Sequence, residues 1–315
     1  MEDTVLVYLI TGFLDSGKTT LLKETLTDPD FNEDGAVSLI IQLEEGEVEI
    51  TPDFLEENNA YLEVIDDISE LTYERLCELN DQYQPMQVFI EYNGTQSLND
   101  FLDTKSPKGW TLVQIITTVD ASTFGNYIIN MRSMMFEQAR YSDLIIFNRC
   151  DDTTKKSMLR GNMKAINRAA QIIYEDVNGN VNTLMDDDLP FDLNAPLIDI
   201  SDDDYGLWYM DCAEHPEKYN GKKVRLRAMY VEPIRHLQHS LIIGRRAMVC
   251  CEDDTSMIAL SVTGLNPKEL SIGEWIEVEG ELKMVNTTQG NPTVVLYASS
   301  CKRIPPLADE FVYFS

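Results

Sequence analysis

Long apolar runs are missing from this chain of 315 residues. The longest, such as "VLVYLI" near the start, reach only about six residues, whereas a membrane-spanning helix needs about twenty. Membrane insertion is therefore not expected. The opening "MEDTVLVYLITGF" has no basic n-region and runs straight into a strand-like segment, so a secretory signal is not expected either. Cysteine is sparse, at six residues. That excludes a disulfide framework and points to a reducing, cytoplasmic compartment. Positive charge is scarce as well: 25 Lys and Arg stand against 54 Asp and Glu, a net charge of −29. The deficit is uneven, with 13 basic and 37 acidic side chains in residues 1–200, and 12 and 17 in residues 201–315. So acidic a surface repels phosphate backbones, which argues against a nucleic-acid partner. Solubility is the ordinary reading of such a balance. Metal cations or a basic partner are the sharper ones.

Hydrophobic residues make up 43% of the chain, enough for real cores and too many for a disordered polymer. The length suits two domains. In the first two hundred residues, strand-like runs at 5–11, 37–42, 88–91, 112–119, 144–148 and 171–174 alternate with helical stretches at 19–27, 68–79, 127–140 and 155–170. Near-continuous apolar strands separated by helices predict a parallel sheet covered on both faces. Residues 177–204 carry "VNGN", "DDD", two prolines and "SDDD", and read as a linker. Beyond it a short helix is expected around 204–219. Five strands follow at 223–231, 240–248, 258–262, 275–283 and 293–300, which suggests a small OB-like barrel. The expected organisation is an α/β P-loop domain with a mainly parallel sheet over residues 1–195 and a small all-β domain over residues 196–315.

Within "VLVYLITGFLDSGKTTLL" lies the spacing G-x-x-x-x-G-K-T, at Gly12, Gly17, Lys18 and Thr19. A strand precedes it and a helix follows, as a phosphate-binding loop requires. The two glycines let the backbone curl so that its N–H groups face a phosphate chain. The helix start adds its positive dipole end. Lys18 is placed to reach the β- and γ-phosphates and the Thr19 hydroxyl to ligate Mg²⁺. Further on, "VFIEYNGT" ends a strand in Glu91, with Gly94 three residues later. A carboxylate at such a strand tip can hold Mg²⁺ through water or orient the attacking water. "LIIFNRCDD" ends another strand in Asn148, Arg149, Cys150 and Asp151, similar to the guanine-reading N-K-x-D. The aspartate accepts from both guanine N1–H and N2–H₂, a pair adenine does not offer. Arg149 can stack on the base where lysine usually lies. The acidic loop "LEEGEVEI", Glu44 to Glu49, falls where a nucleotide-sensing switch would lie, although a plain solvated charge run reads equally well.

In this order the motifs resemble the CobW-like GTPases, the metal-handling class that includes the HypB and UreG types. The resemblance runs from about Val5 to Asp176. "TGFLDSGKTT" looks like that family's phosphate loop. It implies nucleotide contacts from Gly12, Asp15, Ser16, Gly17, Lys18, Thr19 and Thr20, with Asn148, Arg149 and Asp151 at the base and Lys18 and Glu91 in catalysis. "EEGE" is similar to the family's N-E-x-G-E segment, with Leu43 where Asn usually stands, which adds Glu44 as a further Mg²⁺ candidate beside Thr19 and Glu91. "EYNG" matches the class motif E-x-x-G. The implied activity is slow, Mg²⁺-dependent GTP hydrolysis coupled to a switch and to metal or cofactor hand-over. One departure is plain. The family's C-x-C-C motif is absent, and Cys77 stands alone in that stretch. Asp66, Asp67 and Glu70 there could bind a hard cation, but a solvated helix start is the better reading.

The second domain holds the adjacent pair Cys250 and Cys251 in "RRAMVCCEDD". Thiolates favour Zn²⁺ or Cu⁺, and Cys212, Cys301, His215, His236 and His239 are further candidate ligands. Two half-buried thiols with surface histidines is an equal alternative. Residues from about 219 to 314 resemble the C-terminal domain of YcgQ-type permease subunits, on "YNGKKVRLRAMYV", "RRAMVCCEDD", "GEWIEVEGEL" and "FVYF". This resemblance supports a domain boundary more than a chemistry. Joined to a CobW-like GTPase, it suggests that the two parts act together, serving a membrane transporter. A metal-client partner is what the GTPase resemblance implies. The rival expectations are a GTP-dependent regulatory or assembly module that moves no metal and, disfavoured by N-R-x-D, an ATP-using P-loop kinase.

Overall fold

The structure is a computed structural model, and it describes residues 4–29, 31–32, 35–182, 189–248, 255–286 and 292–313. Strand β1, Val5–Thr11, leads through a loop into helix α1, Lys18–Thr27. There follow β2 (Ser38–Gln42), α2 (Pro52–Glu57), β3 (Ala60–Val64), α3 (Tyr73–Tyr83), β4 (Gln87–Glu91), α4 (Leu98–Leu102) and β5 (Trp110–Asp120). Then come α5 (Phe124–Asn130), α6 (Arg132–Tyr141), β6 (Leu144–Cys150), α7 (Lys156–Ile166), β7 (Gln171–Asp176) and β8 (Val181–Asn182). Among the described residues these strands form one sheet in the order β3-β2-β4-β1-β5-β6-β7-β8. The first seven run parallel and only β8 is antiparallel, to β7.

Every residue of β2 and β4 is buried, as the unbroken apolar runs predicted. Side chains alternate between two cores. Leu9, Leu39, Ile41, Val88 and Ile90 pack with Leu76 and Leu79 of α3 on one face. Ile10, Ile40 and Phe89 pack with Leu22 and Leu26 of α1 on the other. The predicted strands are all present. The prediction missed β3, an edge strand whose half-exposed "AYLEV" lacks the fully apolar pattern. Two expected helices are each broken in two. Residues 68–79 become a short 3₁₀ turn at Ile68–Glu70, and α3 restarts where the Thr72 hydroxyl accepts from the Arg75 N–H. Residues 127–140 become α5 and α6, because Met131 leaves helical geometry.

The chain divides into two compact units: Met1–Thr154 with Ile166–Leu184, and Lys155–Ala165 with Met185–Ser315. Helix α7 thus groups almost entirely with the second unit. There the Glu214 carboxylate pairs with both Arg160 (2.6 Å) and Lys164 (3.3 Å).

The second unit continues with β9 (Ile198–Asp199), α8 (Tyr205–Glu214), α9 (Pro216–Tyr219), β10 (Lys223–Pro233), β11 (Ser240–Met248) and β12 (Thr255–Thr263). It ends with β13 (Trp275–Asn286), β14 (Pro292–Arg303) and β15 (Phe311–Val312). Strands β10 to β14 close on themselves in the order β10-β11-β12-β14-β13-β10. β12 and β14 are parallel and the other pairs antiparallel. This is the OB-type closure of a five-stranded barrel. Val224, Leu226, Ala228 and Tyr230 alternate into its core, which Trp208 and Tyr219 help to fill. Buried Arg245 of β11 ties the flanking segments. It donates to the Asp202 carboxylate at 3.1 Å and to the carbonyls of Asp309 and Phe311 at 3.4 and 3.3 Å.

Candidate functional site

The site sits at the C-terminal ends of the parallel strands, where P-loop folds bind ligands. The chain leaves β1 at Thr11 and turns through residues 12–17. It enters α1 at Gly17, whose φ of 97° is left-handed. A β-carbon at Gly17 would lie 2.5 Å from Asn148 Nδ2, so both conformation and space demand glycine here. No side chain caps this ten-residue helix. Its first turn is left to an external acceptor, the arrangement suited to an anion.

Lys18 folds back over the loop. Its Nζ donates to the carbonyls of Gly12 and Phe13, each at 3.0 Å, and to Glu44 Oε2 at 2.8 Å. The lysine is 4% exposed. Beside it the Thr19 hydroxyl donates to Glu91 Oε1 at 2.7 Å, and Gln42 Nε2 donates to Glu91 Oε2 at 3.3 Å. Glu91 is the last residue of β4, in register with Ile10 of β1 and Gln42 of β2. Burial pushes its carboxyl above the ordinary range. The Thr19 bond, the Lys18 charge and the Gln42 bond oppose that rise, and the Glu44 charge adds to it. Lys18, Thr19, Glu44, Glu47, Glu91 and Arg149 line one cavity of about 60 Å³. The Gly94 N–H donates to the Gly12 carbonyl at 3.2 Å. A β-carbon on Gly94 would come within 2.5 Å of that oxygen.

A second cavity of about 310 Å³ adjoins through Gly17, Thr20 and Arg149. Asn148 forms one wall, and its Nδ2 donates to the Ser16 carbonyl at 2.6 Å. Its Oδ1 is buried without a partner. Arg149, at a left-handed φ of 51°, donates to the Asp15 carbonyl at 2.9 Å and pairs with Asp120 at 2.5 Å. Burial alone would raise the Asp120 carboxyl. Bonds from Ser122 and Arg149 outweigh it and hold the group below its usual range. Its lining is completed by the end of β7 and the turn that follows, residues 175–179. Sequence reading began a linker at residue 177 and assigned no site residue to this stretch, whose signal was the turn composition of "VNGN".

The expected site residues separate into two groups. Gly17, Lys18, Thr19, Thr20, Glu44, Glu91, Asn148 and Arg149 meet around these two adjoining cavities, with Asp15 on the rim. Ser16 is buried behind the loop, its hydroxyl 2.8 Å from that of Thr118. Asp151 lines neither cavity. Its carboxylate accepts from the Thr153 hydroxyl (2.7 Å), the Thr153 N–H (2.8 Å) and the Thr154 hydroxyl (3.2 Å), bonds that hold it below its usual range.

Cys250 and Cys251 lie outside the described residues. Of the other candidate ligands, Cys212 is buried in the second unit's core, and that burial raises its thiol pKa. Cys301 is exposed on β14. His236 and His239 sit in the exposed turn between β10 and β11. Asp67 caps the 3₁₀ turn by accepting from the Ser69 N–H at 2.9 Å, which accounts for that carboxylate structurally. Among the described residues no group of three or more His, Cys, Asp or Glu is placed to hold a metal ion. No described helix is long and apolar enough to cross a membrane.

The residues fit a Mg²⁺-bound nucleoside triphosphate. Hard oxygen donors from Thr19 and Glu91 meet beside an uncapped helix start, and Asn148, whose Oδ1 is buried without a partner, lines the adjoining cavity. Fold and site define a P-loop nucleotide-binding protein. The sequence profile of the CobW/HypB/UreG nucleotide-binding domain matches residues 6–174, more than half of the chain, and the chain belongs to that family of GTPases, which includes metallochaperones. The profile of the DUF1980 C-terminal domain matches residues 178–314. Among solved structures, the chain is similar to the hydrogenase maturation factor HypB from Archaeoglobus fulgidus. Identity is 20%, coverage is 56% of this chain and 83% of that one, and the TM-score is 0.37. It is also similar to the Zn(II)-bound YjiA GTPase from E. coli, at 16% identity, 98% and 91% coverage and a TM-score of 0.43. No curated protein matches the chain.

Proposed function

We propose that this chain hydrolyses GTP slowly in a Mg²⁺-dependent manner and uses the nucleotide cycle to drive a conformational switch. The observation that carries the proposal is the convergence of Lys18, Thr19 and Glu91 on one cavity, contiguous with the cavity walled by Asn148 and Arg149. In this reading Lys18 donates to the β- and γ-phosphates and the first turn of α1 cradles them. Thr19 and Glu91 hold Mg²⁺, which supplies charge neutralisation at the transferred phosphoryl group. Glu91, at the tip of β4, would alternatively orient the attacking water. Asn148 braces the loop through the Ser16 carbonyl. Arg149 covers the base, and Asp151 accepts from guanine once its carboxylate turns away from Thr153. The nucleotide chemistry belongs to residues 1–195, in a cytoplasmic setting.

Nucleotide titration tests this. GTP should bind well ahead of ATP, and Lys18→Ala should abolish binding and hydrolysis. An unmodified chain that binds no GTP would sink the proposal.

The finer reading is metal hand-over, with Cys250 and Cys251 in residues 196–315 standing in for the missing C-x-C-C. Zn²⁺ content measured with and without a non-hydrolysable GTP analogue, before and after Cys250→Ser/Cys251→Ser, tests it. A nucleotide-dependent change that the double substitution removes supports delivery. The rival reading is regulation of a protein partner without metal transfer. It is favoured by Leu14 and Val48, which line the phosphate cavity yet are 49% and 41% exposed. Such apolar side chains at a nucleotide-sensitive mouth suit a partner surface.

A further inference from the structure

An ammonium group has three hydrogens to donate. All three of Lys18's have acceptors within the protein: the carbonyls of Gly12 and Phe13 and the carboxylate of Glu44. Two of these acceptors are neutral and belong to the loop itself. The third is anionic, charge-assisted, and delivered from the acidic segment after β2. Lys18 and Glu44 are both withdrawn from water, their side chains 3% and 14% exposed. A phosphate oxygen that approaches Lys18 therefore meets a carboxylate already there, and two anions compete for one cation in a cavity of about 60 Å³. We propose that Glu44 is an internal phosphate surrogate: it holds Lys18, must be displaced by the incoming polyphosphate, and so sets how strongly the site prefers triphosphate to diphosphate. The inference rests on the nucleotide reading above and adds a specificity-determining residue to it.

The consequence reaches beyond Lys18. The segment that carries Glu44 is anchored on both sides. The Leu43 N–H donates to the Glu91 carbonyl at 3.0 Å, and Lys23 Nζ donates to the Glu49 carbonyl at 3.1 Å. Displacing Glu44 therefore repositions residues 44–48 between fixed ends, and Val48 is the exposed apolar residue on that strap. Charge repulsion from a β-phosphate alone is weaker than from β and γ together. GTP thus drives the displacement further than GDP, and the acidic strap reads which nucleotide is bound.

The test is nucleotide affinity of the full chain in EDTA, where no divalent cation bridges carboxylate and phosphate. Fluorescent GTP and GDP analogues serve as probes. Glu44→Gln frees Lys18 of its anionic competitor, whereas Glu47→Gln removes the same charge from the same cavity lining without touching Lys18. We expect Glu44→Gln to tighten binding roughly tenfold, the equilibrium equivalent of one charge-assisted hydrogen bond, and Glu47→Gln to change it far less. Glu44→Asp keeps the charge and should bring affinity back toward the unmodified value. The GTP-to-GDP affinity ratio should shift only when position 44 is neutral. If Glu44→Gln does not fold by circular dichroism, Glu44→Ala replaces it. Equal effects of the two glutamine substitutions, or weaker binding by Glu44→Gln, would overturn the surrogate role while leaving GTP binding intact. Failure of the unmodified chain to bind either analogue would overturn the nucleotide reading, and this inference with it.

Discussion

Asn148 donates its side-chain amide to the carbonyl of Ser16 at 2.6 Å, across 132 positions of sequence. That bond fastens the end of β6 to the phosphate loop, and Gly17 leaves the space it needs. Two motifs read separately along the chain are thus one mechanical unit. Asn148→Ala should loosen the loop and leave a buried carbonyl without its donor. Such a loss is worth about 1–3 kcal/mol. We expect a lower unfolding midpoint together with weaker GTP binding, measured by calorimetry on the same sample.

In the proposed mechanism Glu91 serves turnover at a cost in stability. Burial raises its carboxyl, so the folded chain holds that proton more tightly than the unfolded chain does. Stability therefore falls as pH climbs from the ordinary glutamate range through the raised value, and levels off above it. Glu91→Gln should flatten that fall and raise the melting midpoint at pH 7 by roughly 2–4 °C, because Thr19 can still donate to the amide oxygen. The same substitution should lower GTP turnover at least about a hundredfold. Thermal melts from pH 4 to 8 and a GTPase assay check both halves.

In the proposed reading Asp151 discriminates between purines. Replacing it with Asn turns an acceptor pair into a donor and an acceptor, which complements the 2-oxo group of xanthine. Asp151→Asn should weaken GTP by roughly a hundredfold and favour XTP. Competition binding with the two nucleotides decides it. An unchanged GTP affinity would show that the aspartate stays committed to Thr153 and Thr154.

In the second unit, Arg245 is 1% exposed and lies over the rings of Tyr205 and Trp275, at 5.1 and 5.7 Å. Its guanidinium supports Asp202 and the carbonyls of Asp309, before β15, and Phe311, within it. Arg245→Met keeps the hydrophobic contact and removes the donors. It should destabilise this unit by about 2–4 kcal/mol, with protection of the 309–312 amides lost first in hydrogen exchange.

Much of the molecule was legible beforehand because its signals are local. The strand–loop–helix around Lys18, the apolar centres of β2 and β4, and the regularly spaced strands of the barrel each declare themselves within a dozen residues. Edge strand β3 did not, since half its side chains face water and the alternation spans only five residues. The break at Met131 escaped because no proline or glycine marks it. Gln42 and Arg245 escaped for another reason: each is an ordinary polar residue in an apolar strand until its partner, Glu91 or Asp202, is seen beside it.

The sequence by itself determined a parallel α/β unit with a phosphate loop, the residue types that meet at its strand tips, and a separate small barrel, because periodicity and glycine spacing are written in consecutive residues. Only the tertiary structure decided that Lys18 is held by Glu44, that Asp151 faces its own turn, and that residues 175–179, at the end of β7 and beyond it, line the second cavity. These depend on which strands become neighbours, and register between segments far apart in sequence is fixed by packing and not by any local pattern.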